Sequence, residues 1–258
     1  MARFSGLDSD VGLYLRRKID SYLDGYIGGD RRPVFYDIDA SCPSLRRLDE
    51  SWPIIQRELA GVLGTSRKNI PRYHEIDPVN RRISESDDGR DWKVFMLYAP
   101  GPVELVENTS RCPETARLLS GIPDLIQAFF SILDPHKHIK PHRGPTKTML
   151  RYHLGLMVPE RSPPTMRVKD RHYQWAEGES VLFDDSWEHE VINESDESRA
   201  VLIVDVIRPL PIAPHLLVWG LNRYLARQFY SRGVVRRARK IAGGGDGAGQ
   251  QPASDAHG

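Results

Sequence analysis

Only two cysteines, Cys42 and Cys112, occur among the 258 residues. Two thiols cannot build a disulfide framework, and such scarcity fits a reducing, cytoplasmic setting. No stretch approaches the ~20 consecutive apolar residues that span a bilayer. The opening MARFSGLDSDVG holds no basic segment followed by an apolar one, so a secretory signal is not expected. Net charge is almost nil, with 36 Lys and Arg against 35 Asp and Glu giving +1. That balance gives no reason to expect bulk nucleic-acid binding. No internal repeat is present. The 40 % apolar residues and 21 glycines match a globular chain. They exclude a collagen-like, wholly disordered or disulfide-stapled one. The length suffices for one large domain or two small ones.

The charge is unevenly spread. Residues 1–214 hold 29 basic and 33 acidic residues. Residues 215–240 hold seven basic and no acidic ones, and 241–258 hold two acidic ones. A mildly acidic body therefore carries one basic segment.

Leu7, Val11, Leu15, Ile19, Leu23 and Ile27 recur at spacing four, which predicts an amphipathic helix over 7–27, closed by Gly28-Gly29. A short strand is expected at 34–38. A second helix is expected over 44–63, its regular part starting near Ser51 because Pro53 suits a first turn. Residues 65–90 have loop composition, and WKVFMLYA (92–99) reads as a buried strand. Leu118, Leu119, Leu125, Ile126 and Phe129 suggest a helix over 113–130, interrupted by Gly121 and Pro123. From Phe130 to Pro209 short apolar runs alternate with turn clusters, the texture of an all-β sandwich or barrel. Residues 215–240 read as a basic amphipathic helix and 242–258 as a disordered tail.

The densest chemistry lies in the β-rich part. His142 precedes the strand MLRYHLGLMV, and His189 stands in FDDSWEHEV. In a jelly roll such strand ends lie side by side around a pocket. Neutral imidazoles suit iron, zinc, copper or nickel. A facial triad would place a carboxylate two residues after the first histidine, but that position is Gly144. Asp184 or Asp185 can supply an oxygen ligand instead, or orient a bound water. His136 and His138 fit a loop better than a ligand set. Arg151 and His153 lie two apart and share a strand face. Arg199 opens an otherwise apolar strand, where a charge needs a partner. That partner is either Asp185, Glu188 or Asp205, or an anionic ligand gripped by the planar guanidinium fork.

The spaced motifs FSIL, PHRGPT, LRYHLGL and FDDSWEHEVIN, followed by Arg199, resemble the aspartyl/asparaginyl β-hydroxylase family over about residues 92–209. The resemblance implies a mainly β fold with flanking helices, a double-stranded β-helix of jelly-roll or cupin-like type. It implies one dioxygenase domain over 1–241. This would comprise a helical part at 1–90, a β-helix core at 91–210 and the C-terminal helix at 215–240. The implied cofactors are Fe(II), 2-oxoglutarate as cosubstrate, and O2. His142 and His189 then match the metal ligands. Gly144 matches a family habit of dispensing with the triad carboxylate, and Asp185 matches an acidic position that holds water there. Arg199 matches the residue that pairs with the far carboxylate of 2-oxoglutarate, assisted by Ser131. Arg151, His153 and Trp92 match further cosubstrate contacts. Leu154, Leu156, Val191 and Val201 are expected around the pocket, about half of them as plain core.

The implied reaction is hydroxylation of an unactivated C–H bond. The substrate is either an Asp/Asn-type amino-acid side chain, free or carrier-bound, or a lipid acyl chain. Two rival readings remain at this point. One is a non-catalytic cupin-like protein that binds a metal or a small acid. The other is a zinc hydrolase using His142, His189 and His153. The 215–240 helix either packs on the domain, touches an anionic membrane surface from the cytoplasmic side, or meets an acidic protein partner.

Overall fold

The computed structural model describes residues 10–78, 81–85, 89–224, 233 and 235–238. The tail at 242–258 and the middle of the expected basic helix lie outside them.

Eleven strands among the described residues form two antiparallel sheets. They are β1 (Phe35–Tyr36), β2 (Trp92–Ala99), β3 (Val103–Glu104), β4 (Leu125–Leu133), β5 (His138–His142), β6 (Met149–Met157), β7 (Thr165–Val168), β8 (Arg171–Gln174), β9 (Ser180–Phe183), β10 (His189–Ile192) and β11 (Arg199–Ile207). The larger sheet runs β1-β9-β6-β11-β4-β2-β3 and the smaller one β5-β10-β7-β8. Strands distant in sequence are thus neighbours, and the chain crosses repeatedly between the sheets. This is the double-stranded β-helix, or jelly roll.

The larger sheet is buried on both faces. Along β11, Ala200, Leu202, Val204 and Val206 join one apolar cluster, while Val201 and Ile203 join another. All nine residues of β11 are buried, hence its nearly unbroken apolar run. The outer face is covered by helices. Leu48 of α3 (Arg46–Glu50), Ile55, Leu59 and Val62 of α4 (Trp52–Ser66), and Leu118 and Leu119 of α8 (Pro113–Ser120) pack there. Leu154 and Leu156 belong to this helix-facing cluster and do not line the pocket; Val191 and Val201 face the interior between the sheets.

The first helix, α1 (Asp10–Ile27), ends where Gly28 takes a positive φ of 91°. Pro53 occupies the first turn of α4, as its fixed φ allows. Segment 65–90 is not plain loop. It holds α5 (Tyr73–Ile76) and α6 (Arg81–Ser84), with Glu75 accepting the Arg72 N–H at 2.7 Å. The remaining short helices are α2 (Ile38–Ser41) and α7 (Val106–Thr109).

The expected helix over 113–130 is wrong in its second half. Helix α8 stops at Gly121, Asp124 turns at φ 57°, and Leu125 begins β4. A strand buried on both faces has no period of two, so its apolar residues mimicked helical spacing. Helix α9 (Ile212–Gly220) starts three residues earlier than the expected basic helix, after Pro211, and helical residues recur at 233 and 235–238.

Candidate functional site

Strands β5 and β10 bring His142 and His189 opposite each other as cross-strand partners. Their ring centroids are 4.1 Å apart. In both, Nδ1 bonds the backbone carbonyl two residues earlier: Lys140 at 2.8 Å and Trp187 at 2.9 Å. A carbonyl can only accept, so Nδ1 carries the proton and Nε2 the lone pair. Burial keeps both rings neutral. It draws the His142 pKa down to about 4 and that of His189 well below its usual value. Neutral imidazoles with Nε2 lone pairs are in the state in which histidine can ligate a metal. Among the described residues no third His, Cys, Asp or Glu completes such a group.

The loop between β9 and β10 is held from beneath. Asp184, fully buried, sits between Arg32 at 2.7 Å and Arg208 at 2.6 Å, and accepts from the Ser186 N–H and hydroxyl. It is spent on this network and is no oxygen ligand. The Trp187 ring has the Arg32 guanidinium 3.7 Å and the Lys169 ammonium 3.9 Å from its centroid. These contacts fix the residues between Asp184 and His189.

Asp185 faces the other way. Both its carboxyl oxygens are buried without a hydrogen-bond partner. Its nearest cation is Arg151, 3.3 Å away. Burial raises its pKa to about 7, with the Arg151 charge only partly offsetting the cost. Arg151 itself is engaged by Asp205, its cross-strand partner, through two bonds of 2.7 and 2.8 Å. Its charge also depresses the pKa values of His142, His153 and His189, after burial.

Arg199 differs from every other buried cation of the site. It is 1 % exposed, and its Nε and Nη1 have no partner. Burial alone draws its pKa down to about 9, with no carboxylate opposing that pull. None of Asp185, Glu188 and Asp205 pairs with it. Asp185 and Asp205 meet Arg151, and Glu188 meets Arg167. The guanidinium lies 4.1 Å from the centroid of the Trp175 ring. Ser131, on the neighbouring β4, accepts from the Trp92 indole at 2.9 Å, which leaves its own hydroxyl hydrogen for another acceptor. Trp92 is itself stacked on Tyr73 at 4.0 Å.

A row of rings joins the two ends. His189 lies 5.8 Å from Phe183, Phe183 5.0 Å from His153, and His153 5.8 Å from Trp175. Both His153 nitrogens are buried and unpartnered. The interior thus presents two lone-pair imidazoles at one end and an unpaired guanidinium at the other. Orphaned polar atoms lie between. Such a set fits a divalent metal together with a small dicarboxylate.

Of the residues expected at the site, the structure gathers His142, His189, His153, Arg151, Asp185 and Arg199, while Trp92 and Ser131 meet each other on the neighbouring strands β2 and β4. His136 and His138 do not join them. His136 binds Asp196 at 2.8 Å, and His138 opens β5 exposed to solvent. Sequence reasoning missed Arg32, Trp175, Trp187 and Arg208. An aromatic followed by turn residues gives no sign of what it will touch.

The sequence profile described as aspartyl/asparaginyl beta-hydroxylase matches residues 49–209. An ornithine lipid ester-linked acyl 2-hydroxylase of Rhizobium tropici is 38 % identical over 204 residues, covering 78 % of this chain and 70 % of that protein. The human aspartyl/asparaginyl beta-hydroxylase is 31 % identical over 173 residues, 64 % of this chain and 21 % of that one. Among solved structures, a cupin domain from Bordetella pertussis Tohama I overlaps 32 % of this chain and 81 % of its own, at 18 % identity and a TM-score of 0.27.

Proposed function

The chain belongs to the aspartyl/asparaginyl β-hydroxylase family, and from that membership we propose that it is an Fe(II)- and 2-oxoglutarate-dependent dioxygenase hydroxylating an unactivated C–H bond. The observation that carries this reading is Arg199, a fully buried guanidinium with unsatisfied nitrogens at the far end of the pocket from two neutral histidines. An unpaired buried cation is costly. A bound dicarboxylate removes that cost, and the planar fork suits it.

His142 and His189 would hold iron(II) through Nε2. Bound there, iron and 2-oxoglutarate supply the activation of O2 that an ordinary side chain cannot. The protein residues do the rest. Arg199 would pair with the distal carboxylate and Ser131 would donate to it. His153 and Trp92 would make further contacts with the cosubstrate. Arg151, held by Asp205, keeps a positive charge in the site. Asp185 offers its orphaned oxygens to water in the site, and Val191, Val201 and Phe183 keep bulk water out. Residue Gly144 leaves the Asp185 carboxyl its place.

For the substrate, the longer and more even match to the Rhizobium protein favours a lipid acyl chain. An Asp/Asn-type side chain is the second reading, favoured by the family description. Anaerobic addition of Fe(II) and 2-oxoglutarate should produce a visible charge-transfer band, and admission of air should yield succinate. His142→Ala should lose both. Absence of both in the wild-type protein overturns the reading. A band without any succinate points to a non-catalytic cupin-like binder. Lipid extracts from cells with and without the protein separate the substrates. A lipid class one oxygen heavier only in its presence marks the acyl chain.

A further inference from the structure

Helices α1 and α9 close the same end of the barrel. Both pack on one small apolar cluster of Leu23, Ile126, Met149, Ile207 and Val218, flanked by Ile19 and Ile27. Each leaves a second face uncovered. On α1, Tyr14, Leu15, Tyr22 and Tyr26 are exposed, and Tyr14, Lys18, Tyr22 and Tyr26 form one stripe at spacing four. On α9, Ile212 is 81 % exposed and Leu216 60 %, with Leu217 and Trp219 also open. Tyr224, just beyond, meets Trp219 edge-on at 6.2 Å. Exposed apolar residues concentrated on two adjoining helices require an explanation that scattered ones do not.

The charges divide by side. Asp20 and Asp24 of α1 are turned to the body, where they hold Thr146 and Lys147. Arg16, Arg17 and Lys18 are exposed, as is Arg223 after α9. Arg237, later in the chain, is instead turned to the body, where it donates to the Ile76 carbonyl at 2.6 Å. Interfacial aromatics, apolar residues and cations together are the composition that anionic bilayers attract. Among the described residues no helix is long and apolar enough to cross a membrane.

The body-facing sides of the two helices adjoin the loops that carry the site residues. Thr146 and Lys147 belong to the turn between His142 and β6. Arg208, four residues before α9, is bonded to Asp184. We propose that the exposed faces of α1 and α9 dock on an anionic bilayer and hold the chain beside the acyl chains in it. This rests on the lipid reading given above and extends it to the place where substrate is met.

Sedimentation of the full chain with phosphatidylcholine vesicles, with and without phosphatidylglycerol, tests it. Binding is expected only when phosphatidylglycerol is present. The triple variant Ile212→Ser/Leu216→Ser/Trp219→Ser and the variant Arg16→Gln/Arg17→Gln/Lys18→Gln should each lose at least about tenfold in partitioning. Both should keep the charge-transfer band, which also shows that they fold. Failure of the wild-type chain to bind either vesicle overturns the proposal, as does equal binding by the variants. A dimer in solution that the serine variant converts to a monomer also overturns it, by assigning the face to a second copy. The band is independent of docking, so loss of vesicle binding with the band intact counts against docking alone.

Discussion

The carboxyl group of Asp185 occupies the space that a side chain at residue 144 would need. A β-carbon placed on Gly144 would lie 2.4 Å from Asp185 Cγ and Oδ2. The Gly144 N–H also donates to the Asp185 carbonyl at 2.7 Å, which locks the approach. The triad position is therefore empty for a steric reason. A carboxylate reaching in from the other histidine's loop already fills it.

Gly144→Ala should destabilise the protein by about 1–3 kcal/mol, the usual cost of overpacking, because the added methyl meets the buried Asp185 carboxyl. Adding Asp185→Ala should recover much of that loss, because the collision partner is gone. Thermal unfolding of the two single variants and the double variant forms the cycle. Strict additivity would show that the two residues do not compete for the space.

Arg199→Met should separate stability from function. Removing an unpaired buried charge relieves a desolvation cost, so the variant should melt higher than wild type when no cosubstrate is present. A lost charge-assisted contact of about 1.5–3 kcal/mol predicts a 2-oxoglutarate requirement raised roughly ten- to a hundredfold. An unchanged requirement would move the anion anchor to Arg151.

Asp184→Asn leaves Arg32 and Arg208 buried without a countercharge. Breaking a buried pair from one side costs about 3–5 kcal/mol. Chemical denaturation should show a loss of that size, accompanied by loosening of the loop that carries His189. A loss below about 1 kcal/mol would show that water replaces the carboxylate.

Asp185 predicts a pH signature. Its folded-state pKa is raised to about 7 from a reference of 3.8. The folded protein therefore binds the proton more tightly than the unfolded chain, and this group's contribution to stability falls as pH rises from about 4 to 7. Asp185→Asn should remove that slope in the metal-free protein. Parallel stability–pH curves for the two proteins would contradict the raised value.

Much of the site was legible because its residues break local patterns. Arg199 is a cation heading an apolar strand, and His142 and His189 stand at strand ends. The supporting residues were not legible. Arg32 reaches Asp184 across 152 positions, and nothing near Arg32 in sequence marks that meeting. Residues 125–130 read as helix in the sequence because double-sided burial erases the alternation that distinguishes a strand. Residues 73–84 were assigned to loop because single-turn helices are too short to show a period.

By itself the sequence determined the residue types available to the chemistry: two strand-end histidines, two arginines in β-strands and a carboxylate-rich turn. It also left the strands so apolar that a two-layer barrel with a helical cover is their natural burial. Which arginine would be free was decided by strand register alone. Along β11, Asp205 falls opposite Arg151 and neutralises it, while Arg199 falls opposite Leu133. In a buried interior a charge is satisfied only by what lies within a few ångströms. That register is what leaves one guanidinium open to a ligand.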